Sequence, residues 1–203
     1  MITIQPYTHE DLLRNLPNLD NSLLLDLGCG SQREFSMAYL SYLYKQKAEK
    51  PEVPIEKNNR PESRIVAVDL EHKLLGVLQS GMSVSADATN LPFKDAIFDI
   101  VAAGCLFNRF KLDSELENAL AESVRVLKLG GYLIGDIPLS PSFPEHWESV
   151  TIAQINPDYS EQIMKYKKMM TEKGLEFLKE GIGYNSNQIV LAMKFYFYAV
   201  KNN

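Results

Sequence analysis

The sequence predicts an α/β fold, with a mostly parallel sheet sandwiched between two layers of helices. Short apolar runs that end on Asp or Gly alternate with segments of helical period. Two strand-like runs close the chain, and 203 residues suit a single core. Residues 1–203 are therefore expected to form one domain.

Thr8-His9-Glu10-Asp11 opens the first helix, with a hydroxyl at the cap and acids in the first turn, and Pro17 marks its end. Residues 23–27 form an apolar run stopped by Gly28 and Gly30, the pattern of a strand buried on both faces. A helix over 34–45 carries Phe35, Met37, Leu40 and Leu43 at helical spacing. From 46 to 63 the chain turns to Lys, Glu and Asn with Pro51, Pro54 and Pro61, which predicts an inserted polar surface loop. Strands are expected at 64–69, 83–86 and 98–103, helices at 71–79 and 114–127, and Gly130-Gly131 turns the chain into a strand at 132–137. A helix over 159–173 precedes runs at 175–179 and 189–200. With Gly181, Gly183 and Asn185 between them, these runs predict an antiparallel hairpin on the sheet edge.

The composition is 45% hydrophobic and 23% charged, that of an ordinary globular protein. A net charge of -5 provides no basic field to collect phosphates, so nucleic acid is disfavoured against a small molecule or a protein. No run reaches the length of a membrane span and the start has no cationic-then-apolar leader, so a cytoplasmic location without membrane attachment is expected. Cys29 and Cys105 lack CxxC spacing; they read as reduced core-lining residues, with no metal site signalled.

Three constellations carry chemistry. Asp26-Leu27-Gly28-Cys29-Gly30 ends the first parallel strand, where open α/β sheets place ligands. Glycines there admit positive φ and the close approach of a ligand, and the following helix offers free N–H groups to a carboxylate or phosphate. Asp69 ends the next strand, where a carboxylate can accept both hydroxyls of a ribose. Its distance from the glycines is about twice the roughly 20 residues usual in dinucleotide folds, and the polar insertion accounts for the excess. Asp87-Ala88, after the short strand, supplies an acceptor for an adenine amino group and a backbone N–H for a ring nitrogen.

The ordered set LLLDLGCG, RIVAVDL, ADATNLPFKDAIFDIV and RVLKLGGYL resembles the class I S-adenosylmethionine-dependent methyltransferases, particularly the group that includes ubiquinone- and menaquinone-biosynthesis enzymes. The resemblance spans about residues 23–137 and implies a Rossmann-like, mostly parallel seven-stranded sheet with an antiparallel C-terminal hairpin. It implies S-adenosyl-L-methionine as cofactor. Asp26, Gly28, Cys29 and Gly30 would shape its methionine end, Asp69 would hold the ribose, Leu70 would pack on the adenine, Asp87 and Ala88 would read the adenine, and Gly104 would approach the methionine portion. Gln32 replaces the usual third glycine, and Leu129 the usual proline before Gly130-Gly131.

The implied reaction is an in-line displacement at a sulfonium methyl, in which the protein mainly aligns the partners. Asn108 and Arg109 stand where many relatives carry histidines and are candidates for orienting the acceptor. His146, in Pro144-Glu145-His146-Trp147, is the candidate base, or else a solvated loop histidine. A small-molecule acceptor is favoured over a protein. His9 and His72 read as surface helix residues, Tyr7 as a lid residue, the aromatics at 195–198 as core, and Lys165, Lys167 and Lys168 as a solvated face. Two rivals share parts of the pattern. A nicotinamide-dependent oxidoreductase lacks support because the turn does not follow GxGxxG. A non-catalytic, methyltransferase-like binding protein is suggested by Gln32 and by the sparse acceptor-site chemistry.

Overall fold

The computed structural model describes residues 4–17, 19–30, 34–49, 64–71, 82–104, 106–138, 157–185 and 193–202. In chain order the elements are β1 (Ile4–Tyr7), α1 (His9–Arg14), β2 (Leu24–Leu27), α2 (Glu34–Glu49), β3 (Ile65–Asp69), β4 (Met82–Ser85), β5 (Phe98–Gly104), α3 (Asp113–Val126), β6 (Leu127–Pro138), α4 (Pro157–Glu172), β7 (Leu175–Asn185) and β8 (Met193–Lys201). All the strands join one sheet in the order β1-β7-β8-β6-β5-β2-β3-β4. Only β8 runs antiparallel to its neighbours, β6 and β7.

The period of two along each strand divides the core. Leu24, Ile65, Ile100, Ala102 and Ile134 face one side and pack with Leu12 and Leu13 of α1 and with Phe35, Tyr39, Leu40 and Leu43 of α2. Leu25, Val66, Val68, Val101 and Leu133 face the other and pack with Leu116, Leu120 and Val124 of α3 and with Tyr166, Met169 and Met170 of α4. Helices thus cover both faces, which is why β2 is buried along its whole length. The reversal of strand order lies at β2, between β3 and β5. A ligand site at the carboxyl ends of these strands follows from that topology.

Local chemistry sets the ends of α1 and anchors α2. Thr8 Oγ1 accepts the Asp11 N–H at 3.0 Å and the Asp11 carboxylate accepts the Thr8 N–H at 2.9 Å, a reciprocal capping box. The Tyr39 hydroxyl, buried on α2, reaches the Leu19 and Ser22 carbonyls at 3.0 and 2.6 Å and so fixes the turn that feeds β2. Burial pushes this phenol above its ordinary range. Tyr39→Phe is expected to lower stability by about 1–2 kcal/mol, because the buried hydroxyl's hydrogen bonding to these two carbonyls is lost; urea unfolding of the two proteins measures it.

Four sequence expectations change. The N-terminal residues form β1, which pairs in parallel with β7 from Ile4↔Ile182 to Tyr7↔Asn185. The C-terminal hairpin is therefore covered by an eighth strand instead of forming the edge; Pro6 is tolerated there because an edge strand can spare an N–H. β7 continues through Gly181 and Gly183 to Asn185, and α2 runs on to Glu49. His9 is buried at 4% exposure, not on the surface. Of the helix expected at 71–79, residues 72–79, His72 among them, lie outside the described residues, as do residues 50–63, Cys105, Gln32 and the side chain of Tyr7.

Candidate functional site

A cavity of about 510 Å³ opens at the carboxyl ends of β2, β3 and β5, beside the loop that follows β4. It brings together seven of the residues expected to meet a cofactor: Gly28, Gly30, Asp69, Leu70, Asp87, Ala88 and Gly104, with Arg109 beside them.

The turn after β2 owes its shape to two glycines at positive φ, +67° at Gly28 and +56° at Gly30. The N–H groups of Gly28 and Cys29 both donate to the Val68 carbonyl, at 2.8 and 3.0 Å, folding the turn over β3. The Gly30 N–H donates to Asp69 Oδ2 at 2.9 Å, and the Glu71 N–H donates to Asp69 Oδ1 at 3.0 Å. Each oxygen of Asp69 thus takes one backbone donor and keeps further lone-pair capacity for a second. Among the described residues a Cβ on Gly30 would meet nothing within 4 Å, so these leave an open cradle there.

Asp87 is held by its own loop. Its Oδ1 accepts the N–H and the hydroxyl of Thr89 at 2.8 and 2.9 Å, an Asx turn that leaves Oδ2 capacity for a ligand. The loop is pinned from α3: Leu91 N–H donates to Glu122 Oε2 at 2.7 Å, while the Arg125 guanidinium donates to the Phe93 and Leu91 carbonyls at 2.7 and 3.1 Å. Arg125 also pairs with Glu122 and Asp95. The hydrogen bond from Arg125 holds the Glu122 carboxyl below the usual carboxylate range, against the opposing effect of burial. A lowered folded value stabilises the protein above the unfolded pKa, and that contribution is lost as pH falls through the folded value. Glu122→Gln is therefore expected to lower the melting temperature at pH 7. The gap should close as pH falls below about 4.3, the ordinary glutamate value, in parallel melts of the two proteins.

Leu70 is 71% exposed and lines the cavity, an apolar side chain on its wall. Asp26 and Cys29 are buried and are not among the lining residues. Asp26 Oδ2 accepts the Ser36 N–H and hydroxyl at 2.9 and 2.5 Å, tying β2 to the first turn of α2, and Cys29 packs on Ala67. The Asn108 side chain and His146 lie outside the described residues. Glu71, Thr89, Leu106, Phe110 and Glu115 also line the cavity and were not singled out from the sequence. Leu106 carried no signal in the sequence; it is marked only in space, where it lies against Gly28. A Cβ on Gly28 would stand 2.7 Å from Leu106 Cδ1. Among the described residues no group of three or more His, Cys, Asp or Glu could hold a metal ion.

The sequence from 52 to 135 matches the family model of a methyltransferase domain. Over that stretch the chain is similar to methyltransferase domains. No curated protein matches it. Among solved structures the chain is similar to a SAM-dependent methyltransferase of Methanosarcina mazei at 16% identity, covering 92% of this chain and 98% of that one, with a TM-score of 0.60. It is similar to a SAM-dependent methyltransferase of Aquifex aeolicus at 16% identity, 95% and 89% coverage and a TM-score of 0.60. The magnesium protoporphyrin IX methyltransferase of Synechocystis, solved with bound SAM, aligns at 13% identity over 95% of this chain and 76% of that one, TM-score 0.55. These likenesses establish the Rossmann-like fold. No helix among the described residues is long and apolar enough to cross a membrane.

Proposed function

We propose that the cavity beside the Gly28–Gly30 turn holds S-adenosylmethionine and that the enzyme transfers its methyl group to a small-molecule acceptor. The observation that carries the reading is the convergence of two carboxylates, Asp69 and Asp87, with the two glycines at positive φ on one cavity. The donor and acceptor set fits an adenosyl amino acid. In this reading Asp69 accepts the ribose hydroxyls, Asp87 and Ala88 meet the adenine edge, Leu70 covers its face, and the glycine turn with Gly104 makes room for the methionine portion. The bound cofactor supplies an electrophilic methyl on a positively charged sulfur, and a cavity rich in carboxylates suits that charge.

The chain's own contribution is alignment and exclusion of water. Arg109, on the 3-10 turn Phe107–Arg109 after β5, lines the cavity, which supports a role in orienting an acceptor. Asn108, on the same turn, is proposed to share that role, and His146 is proposed as the base that takes up a proton at a ring nitrogen. Residues 50–63 are read as an insertion in a single domain, and their deletion is expected to leave product binding intact.

The test is methyl transfer from S-adenosylmethionine labelled in the methyl group to a cell extract split into metabolite and protein fractions. Label is expected in the metabolite fraction; label confined to protein would overturn the small-molecule acceptor. Binding without turnover in either fraction would favour a non-catalytic role.

A further inference from the structure

A buried polar cluster next to the cavity, outside the residues assigned to cofactor or acceptor, connects the N-terminal segment to the cavity wall. His9, in the first turn of α1, places Nε2 3.0 Å from Asp136 Oδ2 and Nδ1 3.4 Å from Glu34 Oε2. The side chains of His9 and Asp136 are 5% and 0% exposed. A buried carboxylate is stabilised by the donors that face it, and His9 is one that Asp136 takes from the N-terminal segment.

Three contacts lead from His9 towards the site. Asp136 stands near the carboxyl end of β6 in register with Gly104 of β5, which lines the cavity. The His9 ring packs on Phe35 with centroids 4.2 Å apart, and Phe35 Cε2 lies 3.1 Å from where a Gly104 Cβ would sit. Glu34 is the first residue of α2, the helix that follows the glycine turn. Both ring nitrogens face carboxylates and the side chain is enclosed, so His9 is not placed to touch an acceptor.

We infer that His9 is a positioning residue for cofactor binding: it clamps the segment from β1 to α1 onto the carboxyl edge of the sheet and so sets the wall at Gly104 and the start of α2. The inference rests on the reading of the cavity as the cofactor site. Two variants separate its parts. His9→Phe keeps a ring against Phe35 and removes both polar contacts, whereas His9→Gln keeps an N–H donor for Asp136.

Calorimetry with S-adenosylhomocysteine, alongside thermal melts, tests the inference. His9→Phe is expected to bind at least fivefold more weakly than wild type, and His9→Gln to recover most of that loss. His9→Phe that is less heat-stable but binds like wild type would make the role purely structural and overturn the inference. If His9→Phe does not fold, Glu34→Gln decides, since that carboxylate is 29% exposed and its loss is milder. A twofold or greater weakening is expected, and wild-type affinity overturns the inference. Asp69→Ala in the same series distinguishes the two readings. Failure of wild type to bind the product overturns the cofactor reading and this inference with it, whereas a weakened Asp69→Ala beside an unaffected His9→Phe overturns the positioning role alone.

Discussion

Asp69→Ala is expected to weaken binding of S-adenosylhomocysteine by about 1.5–3 kcal/mol, roughly 10- to 150-fold, the range for losing hydrogen bonds to a charged acceptor. The structure gives a second reason beside the proposed ribose contact. Asp69 also accepts the N–H groups of Gly30 and Glu71, so its removal loosens the glycine turn at Gly30, where the cavity opens, while the bonds of Gly28 and Cys29 to Val68 remain. The two effects separate in Asp69→Asn. The amide keeps one acceptor oxygen but turns an NH₂ towards one of the two backbone donors. Its melting temperature should therefore fall about as far as that of the alanine variant, while it retains part of the affinity. Titration calorimetry and thermal melts on the three proteins measure both. Equal affinity in wild type and Asp69→Ala would remove the ribose from this carboxylate.

That double role explains what could and could not be read from the chain. Gly28, Gly30 and Asp69 were legible because strand-end chemistry is local: an apolar run, a turn that needs positive φ, and an acid on the neighbouring strand. The sandwich was legible for the same reason, since alternation along β2, β3 and β5 assigns each residue to a face before any contact is known. β1 was not legible. Four residues with a proline carry no periodic signal, and their pairing with β7 spans almost the whole chain. His9 was misread because one histidine after a helix cap looks solvated. What buries it is Asp136, 127 residues away, and no local pattern announces that partner. Asp26 is a milder instance. Its position at the strand end was correct, but its Oδ2 serves Ser36 of the next helix, a partner of the same kind as a ligand N–H and much nearer. Backbone needs are met first, and the strand-end carboxylates divide between holding the turn and facing the cavity.

The largest stability change is expected at Gly28, and its contrast with Gly30 tests the turn itself. Both have positive φ, so any side chain costs about 1–2 kcal/mol of backbone strain at either position. Only Gly28 adds a collision, because its Cβ would lie 2.7 Å from Leu106 Cδ1 and 3.3 Å from Leu106 Cβ and Cγ. Overpacking of this kind costs a further ~1–3 kcal/mol, so Gly28→Val should lose about 2–5 kcal/mol in all, against about 1–2 kcal/mol for Gly30→Ala. In a domain of this size the Gly28 loss corresponds to a fall of roughly 10 °C in melting temperature. Any relief of the collision displaces Leu106, which itself lines the cavity, so product affinity should fall together with stability in Gly28→Val. Gly30→Ala should separate the two, because its methyl group meets nothing within 4 Å among the described residues but takes up room in the cradle. It should melt within a few degrees of wild type, roughly 3–8 °C at the outside, and still bind S-adenosylhomocysteine measurably more weakly. Wild-type affinity in Gly30→Ala would mean that the ligand does not approach the turn at that residue, and the methionine end would then have to lie elsewhere along the cavity.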